Sequence, residues 1–111
     1  MNFSLEIGPH TDLESLPPVK DVYVTMLPGG DYKDTANKSG DLVKKGFNPV
    51  PHFPARSINN ENELKDYVSI CKDQGVKQAL VIGGSRDAIG KFDSSYQILE
   101  TGFFDGIKIG I

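Results

Sequence analysis

The stretch QALVIGG, at residues 78–84, decides the fold class that this sequence predicts. Its four apolar residues stand in series, and two glycines end the run. A continuous apolar run of this kind favours a β-strand that is buried on both faces. Such strands are typical of parallel sheets, in which helices cover the faces.

Four further segments share this character, because each is a short apolar, β-branched or aromatic run that glycine or proline interrupts. They are FSLEI at 3–7, DVYVTML at 21–27, a weaker run around Val50, and GIKIGI at 106–111. The run around Val50 is weak because prolines crowd it in NPVPHFPARSI (48–58), and proline fits poorly in a central strand. The sequence therefore predicts five strands.

The best helical pattern lies between the third and fourth predicted strands, at residues 60–74. Its apolar side chains recur with the spacing of one helix face, at Leu64, Tyr67, Val68 and Cys71. Asn60 and Glu63 resemble a capping box, and Gly75 suits the position just beyond the last turn. Cys71, on the apolar face, is interpreted as a core residue.

Two other helices are predicted, at 34–45, where Gly40 weakens the pattern, and at 95–100. Strands that alternate with helices predict an α/β fold with a parallel sheet and right-handed crossovers. In such sheets, catalytic and binding residues gather at the carboxyl ends of the strands. Candidate residues are therefore sought at and directly after each strand.

Composition and charge argue against several classes of protein. The 111 residues suit one small domain, and a net charge of −3 argues against a nucleic-acid or anionic-membrane surface. No apolar run approaches the ~18–20 residues of a membrane span, and the first residues lack the pattern of a signal peptide. The single cysteine fits a reducing compartment, so a cytoplasmic protein is expected. Cysteine and histidine are too few for a typical structural zinc site.

Two candidates lie on the first two strands. Glu6 is a carboxylate within an apolar run, and burial there would require it to be paired or protonated, which suits a general acid. The alternative is a side chain that reaches solvent at a sheet edge. Thr25 lies near the end of the second strand, before Pro28-Gly29-Gly30. Those glycines either allow a ligand to approach the backbone closely or serve only the turn.

Two further candidates follow the third and fourth strands. His52, with Arg56 close behind it, can bind a phosphate, a ring edge or a metal, although a structural role is an equal alternative. Gly83, Gly84 and Ser85 end the fourth strand, where backbone N–H groups can face a phosphate. This loop matches neither the GxGxxG nor the Walker pattern.

Taken together and in order, these strand ends resemble those of the methylenetetrahydrofolate reductase family, whose (β/α)8 barrel holds FAD at its carboxyl face. FSLEIGP is similar to the family's F-E-F-x-P pattern with Glu6 at the glutamate, and VYVTMLPGG to V-S-V-T-x-x-x-G-G with Thr25 at the threonine. VPHF is similar to P-H-L/F with His52 at the histidine. ALVIGGS falls where the family has A-L-R-G-D, and FFDGIKIGI resembles the strand that leads into A-x-P-E/H-P-E. The resemblance covers essentially the whole chain, through five motifs in register.

The resemblance implies flavin-dependent reduction of 5,10-methylenetetrahydrofolate to 5-methyltetrahydrofolate, in one-carbon and methionine metabolism. Glu6 would be the acid that helps to open the folate ring. The residues that would hold FAD are Thr25, His52, Gly83, Gly84 and Ser85. The implied partners are a folate and NAD(P)H or another electron donor, and a homo-oligomer is left open.

The resemblance also implies that residues 1–111 are the N-terminal portion of a truncated barrel, because a complete one needs about 250 residues. The five strands alone are expected to bind FAD poorly. The family's R-G-D is replaced by Gly83-Gly84-Ser85, which motivates one alternative, a divergent non-catalytic module that binds folate or flavin. The length motivates another, a small α/β interaction domain.

Overall fold

The computed structural model describes residues 4–17, 19–27, 30–83, 95–99 and 101–110. Strands and helices alternate along this part of the chain. The strands are β1 (Ser4–Ile7), β2 (Asp21–Val24), β3 (Asn48–Pro54), β4 (Gln78–Ile82) and β5 (Lys108–Gly110). The helices are α1 (Tyr32–Lys44), α2 (Glu61–Asp73) and α3 (Ser95–Leu99), and short 3₁₀ turns cover Leu13–Ser15 and Ala55–Ser57.

The five strands form one parallel sheet in the order β1-β2-β3-β4-β5. This confirms the predicted α/β class and the parallel pairing. Helix α1 packs on β2, β3 and α2, so the two long helices lie side by side on one face of the sheet. Among the described residues, every helix is too short or too polar to cross a bilayer.

The third strand is the longest of the five, although its prolines made it the weakest prediction. The N–H of Asn48 points to β2, where it donates to the carbonyl of Lys20 at 2.9 Å. Successive residues of a parallel strand form their backbone hydrogen bonds with opposite neighbouring strands. The backbone nitrogens of Pro49 and Pro51, which carry no hydrogen, therefore point toward β4. Pairing with β4 begins only at His52, so neither proline interrupts a ladder.

The ends of α2 follow the predicted capping signals. The side-chain oxygen of Asn60 accepts a hydrogen bond from the N–H of Glu63 at 2.9 Å, and Gly75 has a φ of +88°. The Glu63 carboxylate accepts from the amide of Asn59 at 2.8 Å. Helix α1 begins two residues before its predicted start, because Asp31 caps it by accepting from the N–H of Lys33.

Aromatic rings fill the space between β3 and α2. The rings of Phe53 and Tyr67 stack with centroids 3.9 Å apart, and Phe104 meets Phe53 edge-on at 4.9 Å. Cys71 is fully buried in the same cluster, which confirms its predicted core position. Burial raises the pKa of the Cys71 thiol to about 12, so the thiol stays protonated and packs as an apolar group.

Gly40 allows α1 and α2 to approach each other closely. It is buried, and a Cβ at this position would lie 3.0 Å from the Cβ of Gln74 and closer still to that side chain's amide. The glycine that weakens the helical pattern is therefore the contact point between the two helices.

We expect Gly40→Ala to change the free energy of unfolding by no more than about 1 kcal/mol, because the Gln74 amide ends a flexible side chain that can turn away, and the better helix propensity of alanine offsets the remaining contact. In a Gln74→Ala background the same change should stabilise the protein, because the amide group is gone. Urea denaturation of the four members of this cycle measures the coupling. Asp41→Ala, an exposed change on α1, is the control; equal Gly40→Ala costs in both backgrounds would contradict the close contact.

Candidate functional site

Two of the candidate residues, Glu6 and His52, lie on the face of the sheet that is opposite to α1 and α2. The register pairs Glu6 with Tyr23, Tyr23 with Val50, and His52 with Leu80. Paired residues in a sheet share a face, and so do residues two apart along one strand. We call this surface the open face, and its central side chains are Glu6, Tyr23, Val50, His52, Leu80 and Ile82.

Glu6 extends from β1, an edge strand of the described sheet, and its side chain is exposed. The expectation of a buried carboxylate is therefore wrong. Leu5 and Ile7, its apolar neighbours in sequence, point to the helix-covered face, where Ile7 packs with Val22 and Val24. Glu6 has the alternative environment, a carboxylate that reaches solvent at a sheet edge.

Thr25 joins the ends of the first two strands to α1. Its N–H and its hydroxyl both donate to the carbonyl of Ile7, at 2.9 and 3.3 Å. Its own carbonyl accepts from the hydroxyl of Thr35 at 3.0 Å. The hydroxyl proton of Thr25 is thus engaged in the fold, while its oxygen keeps the capacity to accept a hydrogen bond from a ligand.

His52 has the least satisfied polar atom in the described part of the chain. Its Nε2 is buried and has no hydrogen-bond partner among the described residues. The ring of Tyr23 lies edge-on to the imidazole, with centroids 6.2 Å apart. On the other side of the sheet, the Tyr67 hydroxyl donates to the His52 carbonyl at 2.7 Å, which fixes the backbone that carries the ring.

The pKa of His52 lies below its ordinary value of 6.5, because burial penalises the charged imidazolium; the negative charge of Glu6 opposes this shift. His52 is therefore a neutral imidazole near pH 7. The unpaired nitrogen keeps its capacity for one hydrogen bond, but it is enclosed, so a ligand on the open face reaches it only if a covering side chain moves.

The loop after β4 is only partly described. Gly83 accepts a hydrogen bond at its carbonyl from the N–H of Arg56 at 3.1 Å, and no atom of the described residues lies within 4 Å of where its Cβ would be. Gly84 and Ser85, the other predicted residues of this loop, lie outside the described residues. Gly83 and Arg56 therefore place the end of β4 beside the 3₁₀ turn that follows β3.

Two surface clefts lie away from these residues. A cleft of about 560 Å³ separates α1 from the loop after β1. In it, Lys45 pairs with Glu14 at 3.2 Å, and Lys38 donates to the Thr11 carbonyl at 2.9 Å. A smaller cleft lies between α2 and Phe103. Among the described residues, no group of three or more histidine, cysteine or acidic side chains is placed to hold a metal ion.

Tyr23 is the residue of the open face that the sequence analysis missed. Candidates were expected at and directly after the ends of strands, whereas Tyr23 lies within β2. The alternation of VYVT carries the signal, because it sets Tyr23 on the face opposite to the buried Val22 and Val24.

Comparison with the models of known protein families gives no match for this chain. The functional assignment therefore depends on the residues of the open face and on the resemblance of the strand ends.

His52 should make the stability of the protein depend on pH. The unfolded chain binds a proton more readily than the folded one, so stability should be complete above about pH 6.5 and decline as the pH falls through the lowered pKa of His52. We expect His52→Gln to flatten this decline in urea denaturation between about pH 7.5 and 5.5.

His10→Gln is the matched control, because the His10 side chain is 71% exposed. It should leave the decline unchanged. A decline that persists in full in the His52→Gln variant would show that another group causes it.

Proposed function

We propose that this chain is the N-terminal part of a flavin-dependent methylenetetrahydrofolate reductase, with its five strands forming part of a (β/α)8 barrel. The strand order supports this proposal. Doubly wound sheets reverse the strand order and carry helices on both faces, whereas here the order follows the sequence and the two long helices share a face. In a (β/α)8 barrel the helices lie outside the strands, so the open face would form the interior of the barrel.

The observation that carries the functional proposal is the convergence of Glu6, Tyr23 and His52 from three neighbouring strands on one face. A flavin needs a surface that accepts a flat ring and offers hydrogen bonds at its edge. The unpaired Nε2 of His52 and the half-buried ring of Tyr23 fit that requirement. When bound and reduced by the electron donor, FAD would supply the hydride that reduces the methylene carbon of the folate.

The roles of the chain's own residues follow from their environments. Glu6 donates a proton to the folate nitrogen that leaves the methylene carbon when the folate ring opens. His52, as a neutral donor or acceptor, and the oxygen of Thr25 orient the flavin. Gly83, with Gly84 and Ser85, would complete the FAD contacts.

The proposal includes the partners that this reaction needs, a folate and NAD(P)H or another electron donor, in a cytoplasmic protein. A second candidate function is a non-catalytic module that binds folate or flavin. The exposure of Glu6 favours this alternative, because water competes for an exposed acid and weakens it as a proton donor to substrate.

Glu6→Gln separates the two functions when it is made in the complete reductase. If Glu6 is the acid, folate reduction should fall by about 10²–10⁴-fold, while reduction of the flavin by the electron donor should be unchanged. Stopped-flow absorbance of the flavin measures the two half-reactions separately. Glu14→Gln removes another exposed carboxylate and should affect neither.

Unchanged folate turnover in the Glu6→Gln variant would exclude Glu6 as the acid. Calorimetric binding of folate by the unmutated protein, without turnover under any electron donor, would favour the non-catalytic module. The 111 residues alone are expected to bind FAD poorly, so a flavin spectrum that copurifies with them would contradict the partial barrel.

A further inference from the structure

Tyr23 occupies the space between the two candidate residues of the open face. It pairs directly with Glu6 across the β1–β2 ladder, and its ring meets the imidazole of His52 at an interplanar angle of 64°. The side chain is half-buried, and within the described ranges its hydroxyl has no hydrogen-bond partner. Its contact with His52 is therefore made by the ring.

His52 is held from both sides of the sheet. Tyr67 bonds its carbonyl from the helix-covered side, and Tyr23 covers one flank of its ring on the open face. Edge-to-face contact of this kind fixes the orientation of an aromatic ring and excludes water from the covered flank. The enclosed, unpaired Nε2 is the result that such shielding would produce.

We propose that Tyr23 is a positioning residue for His52: its ring excludes water from the imidazole and holds it in one orientation beside a planar ligand on the open face. The ligand in question is the flavin, so this part of the inference rests on the proposed function. Tyr23 stands where the V-S-V-T pattern has serine. The ring that covers His52 is therefore a feature of this sequence and not of the pattern.

The charges around His52 support the same role. The described groups that face it are the Glu6 carboxylate from β1, the Tyr23 phenol from β2, and the apolar side chains of Leu80 and Ile82 from β4. Burial lowers the pKa of His52 and the charge of Glu6 raises it. Removing the ring of Tyr23 would admit water and weaken the burial effect, while the effect of Glu6 would remain.

The test compares Tyr23→Phe, which keeps the ring, with Tyr23→Thr, which removes it and retains a good strand former. The chain has two histidines, so proton NMR can follow both titrations, and His10→Gln assigns them. We expect His52 to titrate at the same pH in the unmutated and Tyr23→Phe proteins. In Tyr23→Thr its midpoint should rise toward the ordinary value of 6.5. An unchanged midpoint in Tyr23→Thr would overturn the proposal.

Two measurements keep the test decisive. If Tyr23→Thr does not fold, the nuclear Overhauser effect between the rings of Tyr23 and His52 in the unmutated chain decides, and its absence overturns the contact. In the complete reductase, Tyr23→Thr should weaken FAD binding roughly two- to tenfold, the ratio that one hydrogen bond supplies, whereas Tyr23→Phe should not.

The histidine titration needs no flavin, so it tests Tyr23 even if the proposed reductase function fails. A shifted titration with unchanged FAD affinity would overturn the ligand part of the proposal.

Discussion

The stacked rings of Phe53 and Tyr67, 3.9 Å apart, join the longest strand to the second helix, and the rest of the structure depends on this contact. Both side chains are fully buried. Burial of two large aromatic side chains is among the larger single contributions to a core of this size. The same contact places the Tyr67 hydroxyl where it donates a hydrogen bond to the carbonyl of His52. The packing of the core therefore also fixes the backbone of the candidate site. Burial raises the pKa of Tyr67 well above its ordinary value, which keeps this hydroxyl a donor.

Side chains alternate between the two faces of the sheet along β3, so the position of Phe53 decides on which face its neighbours lie. Phe53 points to the helices, so the residue before it must point away from them. His52 therefore reaches the open face because Phe53 is held in the core, and the stack at Tyr67 sets the side of the sheet on which the imidazole lies. A shift of one residue in the register of β3 would exchange these two side chains and bury the histidine among the aromatic rings.

The strands and helices that the sequence predicts well are those whose signals are local. The strand β4 and the caps of α2 at Asn60 and Gly75 need only neighbouring residues, and they are present as expected. The expectation that β4 is buried on both faces is wrong for the described residues, because only Ala79 and Val81, on the helix-covered face, are buried. The length of β3 could not be predicted, because the effect of its prolines depends on which neighbouring strand is already paired. The close approach at Gly40 is likewise a contact between two helices, which a pattern within one helix does not contain.

The residues of the candidate site also differ in how well the sequence predicts them. His52 was found from sequence because it follows a strand-like run, whereas the exposure of Glu6 was misjudged from the apolar residues on either side of it. In a strand those two neighbours, Leu5 and Ile7, lie on the opposite face, so their burial gives no information about the residue between them. Alternation, applied to β1 and β2 together, would have predicted both the exposure of Glu6 and the presence of Tyr23 beside it.

The distance between Glu6 and His52 decides what the two groups can do together. They lie two strands apart, about 10 Å at the usual spacing, and His52 is two residues beyond Val50, the register partner of Glu6 on β3, so their Cα atoms are about 12 Å apart. This separation is close to the Debye length of about 8–10 Å, so the attraction of an exposed carboxylate for the imidazolium is weak and burial prevails in setting the pKa of His52. A proton cannot pass directly between groups so far apart. The two groups therefore differ in environment, because the carboxylate is open to solvent and the imidazole nitrogen is enclosed.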